Sequence, residues 1–257
     1  MNKLKQTFQG KNAANLSAIL FYPALVLVAY YVSGLIISTV AVLIFGVDTS
    51  GNIAIDSSII DSALFGAIIT ATNAILILVI ILAVPFLFKK VKTTLKELGL
   101  VGLPTWTDIL VAPLTYAVVL IVANLVLQLV SAFLSVDVDQ AQTLPFSPDN
   151  MIATSDYILA FFSIVIIAPI SEEIIFRGFL YARLRPHVNM WISATIVSLL
   201  FGFVHGQLNV GIVTFIMSFA LCLIREKVTG TIWAGIIAHM IQNGVAFWFL
   251  FNPLMLN

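Results

Sequence analysis

The chain has 257 residues, 61% of them hydrophobic and only 9% charged, with a formal net charge of zero. Soluble domains carry about 25% charged residues, so a mean hydropathy of +1.10 excludes a soluble core and predicts an all-α, polytopic membrane helix bundle. Zero net charge argues against a nucleic-acid partner, and the lone Cys222 excludes an internal disulfide or a multi-cysteine metal site.

About 20 apolar residues cross the hydrocarbon as a helix. Seven segments qualify in chain order: 17–46, 62–88, 109–135, 157–184, 190–205, 208–224 and 230–251. The first is long enough to break at Pro23 or Gly34, which would make an eighth element. It follows Lys3, Lys5 and Lys11 and runs past signal-peptide length, so it reads as an uncleaved span. The loops 47–61 and 136–156 are polar, whereas Phe88 to Thr107 is basic and partly amphipathic, as expected of a segment on the membrane surface. Asp108 reads as a cap for the third span. The whole of 1–257 reads as one integral-membrane domain.

Positive charges set the orientation. Under seven spans every Lys and Arg falls on one side: Lys3, Lys5 and Lys11, then Lys89, Lys90, Lys92 and Lys96, then Arg177, Arg183 and Arg185, then Arg225 and Lys227. The opposite loops carry Asp48, Asp56, Asp61, Asp137, Asp139, Asp149 and Asp156. The positive-inside rule then places the N-terminus in the cytoplasm and the C-terminus outside.

The fourth span contains Ser171-Glu172-Glu173-Ile174-Ile175-Phe176-Arg177. Each charge at a helix centre costs about 2.5–3.5 kcal/mol or more on insertion scales, which makes such residues candidates for function. At ~1.5 Å per residue, Glu172 lies roughly 16–20 Å from the inner boundary, His205 roughly 22 Å and His239 roughly 16 Å. Three helices of alternating direction thus bring these side chains to a similar level. Glu173 and Arg177, four apart, can pair along one face, while Glu172 points about 100° away. His239 and Asn243 project together, and Pro169 can kink the helix beside the glutamates.

Taken singly, each feature has a structural alternative: an ion-pair knot for Glu173 and Arg177, a helix-end histidine for His205, interhelical hydrogen-bonding for His239 and Asn243. Taken together they equip a site for amide hydrolysis. A buried glutamate can activate water as general base, a histidine can hold the same water, and a second histidine with an asparagine can donate to an oxyanion. A proton-relay transporter is a competing reading, but no inverted repeat of spans is visible.

Glu172-Glu173-x-x-x-Arg177, Phe201-x-x-x-His205 and His239-x-x-x-Asn243 together resemble the three-motif signature of the CAAX protease and bacteriocin-processing (CPBP, or Abi) family of intramembrane endopeptidases. The resemblance covers about residues 155–250. It implies Glu172 as the water-activating base assisted by His205, with Glu173 and Arg177 supporting the site and His239 and Asn243 at the oxyanion. Phe201 is implied as a packing residue. A metal-free mechanism is favoured, with zinc on Glu172, His205 and His239 as the alternative. The implied partners are the lipid bilayer and a membrane protein or peptide substrate, a bacteriocin or peptide pheromone among them. The expected location is a bacterial plasma membrane. A non-enzymatic immunity or scaffold protein retaining the motifs is the alternative function.

Overall fold

The computed structural model describes residues 2–46, 59, 61–134, 140 and 142–251, with side chains from residue 15 onward except that of Leu134. They form seven helices: α1 (Asn2–Phe45), α2 (Ala63–Lys89), α3 (Trp106–Leu134), α4 (Thr154–Leu184), α5 (Met190–Val204), α6 (Leu208–Ile224) and α7 (Trp233–Phe251). No strand occurs among the described residues. The protein is an integral-membrane helix bundle: large apolar side chains such as Leu114 (67% exposed) and Phe133 (82% exposed) cover its outside, as contact with lipid tails requires. Lys3, Lys5, Lys11, Asp48, Asp56, Asp137 and Asp139, used for the orientation above, lie outside the described side chains.

Among the described residues, six helices are long and apolar enough to cross a membrane. The first continues through Pro23 and Gly34, so the break considered for α1 does not form. Pro23 removes one backbone donor, while Tyr22, Val26 and Ala29 join Ile77 and Ile81 of α2 in the core and hold the axis continuous. The exception in length is α5. Its 15 residues reach only about 22 Å, short of a hydrocarbon core about 30 Å thick.

This short helix shapes the site. α5 and α6 make a tight hairpin, closed by Gly206 at φ +71°, a left-handed conformation that glycine adopts without steric cost. The two backbones touch: a Cβ on Gly202 would lie 2.7 Å from the Gly211 carbonyl oxygen, the close approach that small residues allow in membranes. Above the hairpin turn lies the connection between α3 and α4. The Thr143 N–H donates to Gln207 Oε1 at 2.8 Å, and Asn209 Nδ2 donates to the Gln140 carbonyl at 2.8 Å.

At the other end, segment 90–105 folds onto the ends of α4 and α6. Arg183 Nη2 donates to Thr93 Oγ1 at 2.7 Å and Arg225 Nη2 to the Glu97 carbonyl at 2.8 Å. The Arg185–Glu226 ion pair, at 2.8 Å, joins the same end. This segment is not a surface-lying amphipathic element throughout. Leu98 is buried in the core, because Gly178 leaves room for its backbone: a Cβ there would sit 3.1 Å from the Leu98 carbonyl. The cap of α3 also differs from expectation. Thr105 holds the capping position and bonds reciprocally with Asp108, whose Oδ2 accepts from the Thr105 N–H at 2.8 Å.

Candidate active site

Helix α4 is not uniformly α-helical. Phe162–Ile167 and Ile174–Tyr181 are π-helical, flanking the α-helical Ala168–Glu173. Such wide turns recur at functional sites, and here one has a traceable cause. The Ala168 N–H reaches back five residues to the Ser163 carbonyl. The next donor in that register would be Pro169, which has no N–H, so the Ile164 carbonyl is left over. Asn243 Nδ2 on α7 donates to it at 2.9 Å. A buried backbone acceptor must find a partner, and this one pins Asn243 beside the glutamates.

Behind the site lies a fully packed ion cluster. Glu173 is 0% exposed and Arg177 1%, and Arg177 Nη1 sits 2.9 Å from Glu173 Oε1. The contact is ionic rather than well-aligned hydrogen bonding, since all three guanidinium nitrogens lack an aligned acceptor. Compensation comes from Phe201, whose ring centroid lies 4.5 Å under the guanidinium, a cation–π contact in a dry environment. Glu173 Oε1 also faces His239 Nδ1 at 3.2 Å. Phe201 is the hub of this arrangement. Its ring lies 4.8 Å from that of His205 and 5.8 Å from that of His239, both edge-on.

In front lies a cavity of about 440 Å³ lined by Glu172, His205, His239 and Asn243, with Gln242 and Ser163 alongside. The side chain of Glu172 is 24% exposed, and its Oε2 lies 3.6 Å from His239 Nε2. Hydrogen bonds fix both imidazoles. His205 Nδ1 faces the Phe201 carbonyl, at 2.6 Å, and a carbonyl can only accept, so Nδ1 is the donor. His239 Nδ1 faces the Glu173 carboxylate and is likewise the donor. Of the six candidate residues, four line the cavity. Glu173 and Arg177 do not: they lie one layer deeper and act on the cavity only through His239 and Phe201.

A zinc ligand set would need Glu172, His205 and His239 to converge with nitrogens about 2.0–2.1 Å from one ion. Among the described residues no three His, Cys, Asp or Glu side chains are grouped closely enough to hold a metal ion. As placed, the donor set does not fit zinc, and no step is routed through a metal.

Gly235 went unnoticed in the sequence, although it stands four residues before His239 on the same helix face. A Cβ on it would fall 2.6 Å from Glu173 Oε2, so the buried carboxylate needs the bare backbone of α7. Gly235→Ala is expected to cost about 1–3 kcal/mol by overpacking and to shift the His239 Nδ1 resonance in ¹⁵N NMR as Glu173 is displaced. An unchanged Tm together with an unchanged resonance would show that the carboxylate has room to spare.

Residues 154–245 match the family described as "Type II CAAX prenyl endopeptidase Rce1-like". Over these residues, about a third of the chain, it is similar to that family. The matched stretch runs from the start of α4 into α7 and holds the whole candidate site. A curated protein described as "Putative membrane peptidase YdiL", from Bacillus subtilis (strain 168), is 35% identical over 78 residues, 30% of this chain and 32% of that protein. The chain thus spans about a third of the length of this relative. No solved structure matches the chain. The matched stretch is confined to α4–α7, and α1–α3 pack around it.

Proposed function

We propose that this protein is an intramembrane endopeptidase that hydrolyses a peptide bond of a membrane-associated substrate with activated water. The observation that carries the reading is the convergence of Glu172, His205, His239 and Asn243 on one cavity, backed by a buried Glu173–Arg177 pair. In the proposed reaction a water sits between the Glu172 carboxylate and His205 Nε2, which accepts its second hydrogen. Glu172 takes one proton from this water as the oxygen attacks the scissile carbonyl carbon. Negative charge moves onto the carbonyl oxygen, where the free N–H of Asn243 donates to it and the His239 ring lies alongside. The Glu173 carboxylate holds that ring from the other side. Collapse of the tetrahedral species breaks the C–N bond, and Glu172 returns its proton to the leaving amine.

The site sits in a bacterial plasma membrane in this reading, with the N-terminus in the cytoplasm and apolar membrane peptides as substrates. The bacterial relative and the clean segregation of Lys and Arg support it. The direct test is purified protein in liposomes with single-span reporter peptides: cleavage inside the apolar segment supports the assignment, and intact reporters across a varied set overturn it. Because the mechanism is metal-free, dialysis against EDTA or 1,10-phenanthroline is expected to leave the cleavage rate unchanged. Loss of cleavage that zinc restores would replace Glu172-activated free water by a metal-bound one.

A further inference from the structure

Among the described residues, the cavity is lined from one end of the bundle, and it is the end without cations. Its wall runs through Thr70, Leu127, Gln142, Thr143, Phe247 and Leu250. These lie in the first half of α2, the last quarter of α3, the α3–α4 connection and the end of α7. None of the lining residues is Lys or Arg, and none comes from segment 90–105 or from 176–189. Toward the cationic end the passage is plugged. Phe176, Arg177, Phe179, Leu180, Tyr181 and Leu184 are all essentially without exposure. From Arg177 to Leu184 this plug is about 10 Å deep at the rise of a helix.

Resting on the peptidase reading, we infer that substrates reach Glu172 from the extracytoplasmic face, over the top of the short α5–α6 hairpin. The positive-inside rule assigns the Lys92, Arg183, Arg185 and Arg225 end to the cytoplasm, so the mouth faces outward. The Gly206 turn borders this mouth through His205, Asn209 and Val210, and the recess beside it admits an apolar chain. Apolar Leu127, Phe247 and Leu250 line the approach, and the floor is polar. The substrate class is therefore the extracytoplasmic end of an apolar, membrane-inserted peptide, uncharged at the scissile bond.

Two measurements test this on the full chain. Thr143→Cys and Lys92→Cys are made separately in a Cys222→Ser background and treated with a membrane-impermeant maleimide. Labelling of Thr143→Cys confined to intact cells, and of Lys92→Cys confined to inverted vesicles, is expected. Labelling of both from one side, of Thr143→Cys only in inverted vesicles, or of Thr143→Cys in neither preparation overturns the inference. Two single-span reporters, one with its susceptible bonds at the outer end of the apolar segment and one at the inner end, form the second arm. Cleavage confined to the outer reporter and lost in Glu172→Gln supports the inference, and cleavage confined to the inner reporter overturns it. Cleavage of neither overturns the peptidase reading instead, while the labelling still decides where the cavity opens.

Discussion

Glu172→Gln is expected to lower reporter cleavage by about 10²–10⁴-fold or more, the usual scale for loss of a general base, while leaving Tm unchanged. The exchange keeps the shape and a hydrogen-bonding oxygen but removes the basicity that draws a proton from water. Stability should be spared because this side chain is 24% exposed to the cavity, and its carboxylate approaches His239 only to 3.6 Å. The measurement is cleavage of a verified reporter beside a melting curve on the same preparation. Full activity in Glu172→Gln would remove it from the role of base. Protection of cells in an immunity assay without proteolysis would favour the non-enzymatic alternative.

Arg177→Ala is expected to fail at the level of folding, losing about 3–5 kcal/mol because it leaves the buried Glu173 carboxylate without its guanidinium partner. That is a large part of the ~5–15 kcal/mol that holds a typical protein folded, so low yield and a much lower Tm should precede any change in chemistry. Glu173→Gln should do likewise, stranding the guanidinium against Phe201. The Arg177→Ala, Glu173→Gln double variant is expected to lose less than the sum of the two single losses, since neither charge is then left alone. Strict additivity would mean that the 2.9 Å contact holds no interaction energy. Arg177→Lys is expected to rescue only in part, because a lysine ammonium lacks the flat face that stacks on the Phe201 ring.

The contrast between these two glutamates was partly legible from position. Neighbours on a helix point about 100° apart, so one could pair with Arg177 while the other faced elsewhere. That Glu173 also reaches His239, and that Arg177 lies over Phe201, depends on how α7 and α5 cross α4. No spacing along one strand of sequence encodes a crossing. Gly235 escaped for the same reason: a glycine in an apolar run resembles any small packing residue until the opposing carboxylate is known to lie 2.6 Å from its absent Cβ. The role of Asn243 was legible only as a face shared with His239. Its bond to Ile164 needs a carbonyl released by Pro169 through a π-helical register, and hydrophobic periodicity does not distinguish that register.

By itself the sequence determined the class of molecule, the helices and the candidate residues of the site. Those follow from one-dimensional quantities: apolar length against bilayer thickness, the cost of charge in hydrocarbon, and motif spacing on single helices. It also determined the segregation of Lys and Arg, because each loop's composition is local. Tertiary structure alone decided which candidates line the cavity and which stand behind it. It also decided that the cavity in front of them is lined from the end away from the cations. Depth and opening arise from the relative heights of helices distant in the chain and from the side chains that plug one end, and both exist only once the helices have packed.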